Sequence, residues 1–143
     1  MQVYSAADVH ARRPWNVLAE ALERSYRAGE QVPLRHTHAL SPSDSLLLIP
    51  AWNDTLIVTK LVTVMPAAAH TVQATLLVLD RSTGTPLACM DGEAVTLRRT
   101  AVVSALAARH LARPDARRLL LVGTGRLAPW IARAHIALRP GLQ

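Results

Sequence analysis

The stretch that most constrains this chain is residues 91–128, DGEAVTLRRTAVVSALAARHLARPDARRLLLVGTGRLA. It reads as a long helix, a short linker, an apolar strand and a glycine-rich turn that opens another helix. Val95, Val102 and Leu106 recur at helical spacing, and Arg99 falls on the same stripe, which is expected to face the sheet. Arg98, about 100° further round the helix, is predicted to be solvated. Residues 118–122, RLLLV, have the pattern of a buried strand. Gly123, Thr124, Gly125, Arg126, Leu127 and Ala128 then make a GxGxxA turn in the strand–turn–helix setting that the motif requires.

Upstream, the chain divides by period. Ser5 and Asp8 make a capping box for a short helix. Pro14 suits the first turn of a second helix, whose inward face is Val17, Leu18, Ala21, Leu22 and Ser25, with Gly29 as its C-cap. From Val32 the period moves toward two. Strands are predicted at 32–40, 45–49, 55–65, 71–79 and 85–90, separated by turn chemistry, with Asp80 opening the last hairpin loop. The short connections argue for an antiparallel or mixed sheet, with the helix at about 93–112 packed on it. The class is therefore α+β: N-terminal helices and a mixed or antiparallel sheet packed with a helix, followed by the start of an incomplete Rossmann α/β domain. The expected division is 1–113 and 114–143.

Half the residues are hydrophobic and 18% are charged, which favours a globular chain over a disordered one. With no Phe, the core must be Leu, Val and Ala. A single cysteine, Cys89, rules out an internal disulfide and suits a reducing compartment. The N-terminus lacks the apolar region of a signal peptide, and no apolar run reaches the roughly 18 residues that span a bilayer. A cytoplasmic protein with no membrane partner is expected. The formal charge of +6 could suggest nucleic acid, but the basic residues are scattered and form no basic run. Small anions explain the arginines as well, so no nucleic-acid partner is expected.

Lys60 is the one lysine, in the middle of the most apolar strand, with Leu56, Val58, Val62 and Val64 on its face. A buried ammonium is costly unless paired. Either it snorkels to water, or it meets a substrate carboxylate or polarises a carbonyl or imine. Arg99 either pairs with an acid such as Asp80 or Asp91, or clamps a ligand carboxylate with its guanidinium fork. Arg35, alternating with His36 on a strand, is the third candidate cation. The chain has few acids, so three such cations suggest an anionic ligand. His36 and His38 share a strand face but have no third ligand spaced nearby, so no metal is expected. Cys89 reads as a small core residue. In the glycine turn, the glycines permit close approach of a pyrophosphate and the helix start supplies N–H donors. The acidic residue that would hold the ribose is expected about 20 residues on, past Gln143.

These stretches resemble a known family. TKLVTV at 59–64, TVQATLLVLDRSTGTPLACMDG at 71–92, VTLRRTAVVSALAARHLA at 95–112 and LLLVGTGRLA at 119–128 are similar, in order and spacing, to the ornithine cyclodeaminase/mu-crystallin family. The likeness runs from about Val3 to the last residue and matches the N-terminal half of a family member. It implies a substrate and dimerisation domain followed by a Rossmann domain that binds NAD or NADP, working as a homodimer. Lys60 matches the lysine of the KLVTV motif, Arg99 the arginine of the LRT motif, and Arg35 the arginine of the early strand; in the family these bind the substrate's carboxylate and neighbouring polar groups. Thr71 matches a threonine near ligand and nicotinamide. The family's aspartate general base lies in the other half.

The resemblance implies an NAD(P)-dependent enzyme acting on a small carboxylate-bearing amino or imino acid, with Lys60 as its catalytic residue in this half. One version converts ornithine to proline with release of ammonia. The other reduces a cyclic ketimine such as pyrroline-2-carboxylate to proline. The rival reading is a truncated, non-catalytic family member acting as a dimerisation or binding module.

Overall fold

The computed structural model describes residues 1–29 and 31–142. Gln143, the last residue of the expected 114–143 segment, lies outside them. The chain forms two compact units, Met1–Ala11 with Gly29–Val95, and Arg12–Ala28 with Thr96–Gln143.

The first unit is a six-stranded sheet in the order β1-β6-β5-β4-β3-β2. Its strands are β1 (Gln2–Tyr4), β2 (His36–Ala39), β3 (Ser45–Trp52), β4 (Leu56–Val64), β5 (Val72–Asp80) and β6 (Pro86–Asp91). β1 runs parallel to β6 and the other neighbours are antiparallel, so the mixed, α+β expectation describes the fold. β4 lies at the centre because its Ile, Val and Thr residues suit a pleat with neighbours on both edges. Its register sets Lys60 between Ile49 and Leu76, and Val62 between Leu47 and Ala74. The hairpin loops are closed by side chains. Asp80 accepts from the Ser82 hydroxyl at 2.6 Å and the Thr83 N–H at 2.8 Å, and these bonds hold its carboxyl down at about 2. Gly84 follows with φ 71°.

Three details differ from the sequence reading. β1 had no alternation to reveal it; three residues become a strand only because β6 offers an edge. β2 is shorter than 32–40, and Gln31 instead makes an isolated bridge with Trp52. Pro33 between them has no N–H to give to a ladder, so Arg35 stands just outside the strand. Cys89 is half-buried in β6 rather than in a core.

Helix α1 (Ala6–Ala11) carries the expected capping box: the Ser5 N–H donates to Asp8 at 2.9 Å and the Asp8 N–H to the Ser5 hydroxyl at 3.3 Å. The second unit is helical: α2 (Trp15–Ala28), most of α3 (Gly92–Leu111) and α4 (Ala128–Leu138). Gly29 ends α2 with φ 74°. Ala19, Ala101, Val102, Ala105 and Ala134 are the buried centre of this unit. Alanine lets helices approach closely, and Trp15, Leu18, Leu22, Trp130, Ile131 and Leu138 fill the space around it. The inward face of α2 thus centres on Ala19, and Ala21 is exposed.

Residues 118–122 are the largest correction. They are not a buried strand: they make no ladder, and Leu120 and Val122 are 86% and 90% exposed. A strand exists only through hydrogen bonds to a neighbour, and among the described residues none is aligned beside this segment. α4 forms where a helix was expected.

Candidate functional site

Arg35, Lys60 and Thr71 belong to the sheet unit, and Arg99 and residues 123–128 to the helical unit. Each is built by its own unit.

In the sheet, His36 pairs with Leu48, and Ile49 pairs with Lys60. Arg35 directly precedes β2 and has no partner in the ladder, so the register fixes Lys60 but not Arg35. Lys60 is half-buried between apolar neighbours, while Arg35 is exposed. Thr71 is placed elsewhere. It closes the turn of the β4–β5 hairpin, where its carbonyl accepts from the Met65 N–H at 2.7 Å. Five residues of chain, about 16 Å of strand rise, separate that turn from Lys60. His36 and His38 are exposed on β2, and the described residues contain no group of three or more His, Cys, Asp or Glu able to hold a metal.

On α3 the two arginines exchange the roles that the sequence spacing assigned. Arg98 is the buried one, 7% exposed, and Arg99 is exposed. The buried residues are Ala94, Arg98, Ala101, Val102, Ala105 and Leu106, so Val102 and Leu106 lie inward as the spacing predicted, while at the N-terminal end Ala94 and Arg98 replace Val95 and Arg99. The alanines decide the phase, because close helix contact needs small side chains. Arg98 stacks over the Trp15 ring at 4.7 Å, and its guanidinium donates to the Arg13 carbonyl. Burial depresses its pKa below the ordinary value, yet a guanidinium stays charged at neutral pH. Arg13 itself has φ 63°, a left-handed conformation rare outside glycine. Sequence spacing missed this arrangement; the alanine stripe was the signal that could have found it.

With Arg98 turned inward, Arg99 projects into solvent. The two acids suggested as its partners are occupied: Asp80 in its hairpin loop, and Asp91 as the cap of α3, accepting from the Ala94 N–H at 2.7 Å. Arg99 and Arg35 have no ion pair or hydrogen bond to a side chain among the described residues.

The glycine turn has the backbone freedom and the open space that close approach of a pyrophosphate needs. Gly123 has φ 115°, open only to glycine without strain, and a Cβ at Gly125 would meet nothing within 4 Å. α4 begins at Ala128 with no side chain capping its N-terminus. The first N–H groups of α4 are already engaged, Ala128 with the Gly125 carbonyl and Trp130 and Ile131 with the Leu127 carbonyl, and Pro129 has none. Room for a dinucleotide's phosphates therefore comes from the glycines of the turn rather than from the helix start.

Among the described residues no helix is long and apolar enough to cross a membrane. Comparison with known proteins gives a consistent set. A Δ(1)-pyrroline-2-carboxylate reductase of Colwellia psychrerythraea is 35% identical, over 97% of this chain and 47% of that protein. The Thermococcus litoralis Δ(1)-pyrroline-2-carboxylate reductase, solved with NADH and L-proline, is 26% identical with a TM-score of 0.78, over 100% of this chain and 46% of that one. A lysine cyclodeaminase, solved to explain its recognition of L-lysine, L-ornithine and L-2,4-diaminobutyric acid, is 30% identical with a TM-score of 0.77, over 98% of this chain and 46% of that one. The chain therefore spans about half the length of the relatives it matches. The family model covers residues 1–142, and on that match this chain belongs to the ornithine cyclodeaminase/mu-crystallin family.

Proposed function

We propose that this chain is the substrate-holding part of an NAD(P)-dependent reductase that converts a cyclic ketimine carboxylate, such as pyrroline-2-carboxylate, to the amino acid proline. The observation that carries the reading is identity at 35% through 97% of the chain to a Δ(1)-pyrroline-2-carboxylate reductase. The exposed guanidinium groups of Arg35 and Arg99 support it, since each offers a fork for a carboxylate. Lys60 is the catalytic residue: a half-buried ammonium that polarises the imine and protonates its nitrogen as the carbon is reduced. Thr71, on the β4–β5 turn, would meet the ligand and the nicotinamide from that end of the sheet, away from Lys60. Gly123, Thr124, Gly125, Arg126, Leu127 and Ala128 hold the cofactor's phosphates. A bound nicotinamide cofactor supplies the hydride, and this chain's side chains hold and orient the acceptor.

In this reading residues 1–113 are the substrate and dimerisation domain, 114–143 begin the cofactor domain, and the protein works as a cytoplasmic homodimer. Cyclodeamination of ornithine to proline with release of ammonia is the second reading, favoured by the 30% identity to a lysine cyclodeaminase. A non-catalytic binding or dimerisation module is the third, favoured by the unpaired segment 118–122.

The test is titration of the chain with L-proline, the product, followed by amide NMR. Saturable shifts at Arg35, Lys60 and Arg99, lost in Arg99→Leu, are the expected result. Absence of any shift at those three, with the fold intact, refutes the carboxylate clamp. Consumption of NADH or NADPH by the chain with pyrroline-2-carboxylate separates the reductase from the binding module.

A further inference from the structure

The helical unit contains a second concentration of positive charge that the reading above does not use. A cavity of about 130 Å³ lies between the C-terminal half of α3, residues 112–119 and the end of α4. Its floor is alanine and leucine from both helices. Its wall carries Arg109 from α3, Arg118 from the extended segment, and His135 and Arg139 from α4, with no Asp or Glu among the lining residues.

The acids of this unit do not neutralise it. The sequence gives the unit thirteen arginines and three acids, Glu20, Glu23 and Asp115. Asp115 receives two hydrogen bonds from Arg113, at 3.0 and 2.6 Å. Glu23 is bound by Arg27 at 2.7 Å and faces His110 at 3.7 Å. Glu20 is exposed on α2. Arg139 is half-buried and Arg109 and Arg118 are exposed at the rim, so the three bring positive charge to one apolar hollow that no acid of its lining offsets.

The imidazole is the fourth member. Ser104 Oγ and His135 Nε2 are 3.1 Å apart, which fixes the ring against α3. Burial, and then the neighbouring Arg139, hold its pKa below the ordinary histidine value. The ring already senses the positive potential of the cavity.

We propose that this cavity binds a small oxyanion of the phosphate type, held by Arg109, Arg118 and Arg139 over an apolar floor. The chemistry fits on three counts. Guanidinium forks match tetrahedral oxyanions in bidentate fashion. A low-dielectric floor strengthens each of those contacts. The hollow is larger than a single water requires and small enough to exclude a dinucleotide. The site shares no residue with the proposed carboxylate clamp or with the glycine turn, so either can fail without the other.

The test is a titration of the intact chain with inorganic phosphate at low ionic strength, with His135 followed by NMR. The expected result is saturable one-to-one binding that raises the His135 pKa, because the anion cancels the repulsion from Arg139. Arg118→Gln and Arg139→Gln should each weaken binding by about tenfold, the scale of losing one hydrogen bond to a charged group, with the circular dichroism unchanged. Arg24→Gln, exposed on α2 and outside the cavity, should bind as the parent does. Non-saturating uptake, or weakening by Arg24→Gln equal to that of the cavity variants, overturns the proposal and assigns the effect to general basicity. If the cavity variants lose their fold, the parent's His135 pKa decides alone: a value unmoved by phosphate refutes the site.

Discussion

The two units of this chain have opposite characters. The sheet unit holds three cations, Arg35, Lys60 and Arg81, against seven acids, while the helical unit holds thirteen arginines against three acids. The net +6 of the whole chain hides a negative unit joined to a strongly positive one. The contrast extends to the backbone. β4, LIVTKLVTV, is a largely apolar strand hydrogen-bonded on both edges, whereas the apolar residues 118–122 make no ladder and lie largely exposed. An apolar, β-favouring run is thus a permission to form a strand. A neighbour in register completes it, and only the sheet unit provides one.

The largest expected effect breaks the sheet unit. A Cβ at Gly92 would lie 2.8 Å from the Ala74 backbone carbon on β5. Gly92→Val should therefore cost about 3 kcal/mol, since backbone cannot give way as a flexible side chain would. Thermal unfolding near the parent temperature would show that β5 has moved to make room.

Val62, buried on β4, sharpens the strand comparison. Val62→Ala removes two buried methyl groups and should cost about 2 kcal/mol in urea unfolding. The matching Leu120→Ala in the unpaired segment should change stability by less than about 0.5 kcal/mol. Equal costs at the two positions would mean that 118–122 is packed in solution, and the contrast would fall.

His135 tests the positive unit. Its folded pKa lies below the unfolded reference of 6.5, so the fold favours the neutral ring. Above 6.5 both states are neutral and the group contributes nothing. As pH falls through 6.5 toward the folded pKa, the unfolded chain binds the proton first and stability drops. The ring faces the Ser104 hydroxyl, Arg139 is the charge that acts on it, and Arg109 and Arg118 line the same cavity. His135→Gln should flatten the loss in urea midpoint between pH 7.5 and 5.5 relative to the parent. An identical slope in both proteins would show that the ring is solvated.

Local chemistry was legible wherever a feature depends on residues close in sequence. The Ser5–Asp8 box, the Gly29 cap, the Asp80 loop and the periods of β3 to β6 each follow from a few neighbouring side chains. The family resemblance was legible too, because its motifs are contiguous. The α3 stripe was read correctly at Val102 and Leu106 but misread at its N-terminal end, where Val95 looked like the stripe and Ala94 did not. Hydrophobicity ranks valine above alanine, but the helices around Ala19, Ala101, Ala105 and Ala134 select for small size.

The sequence alone determined the sheet's central strands, the helices and the turn glycines, because hydrogen-bond geometry and side-chain period act within a few residues. Tertiary structure alone decided three things: that Arg98 rather than Arg99 is buried, that three N-terminal residues become a parallel strand beside β6, and that residues 118–122 stay unpaired. Each depends on which partner surface arrives beside it: the Trp15 ring and the Arg13 carbonyl for Arg98, an open sheet edge for β1, and no aligned strand among the described residues for 118–122. Burial and strand pairing are properties of contacts between distant segments, and a local pattern carries no record of them.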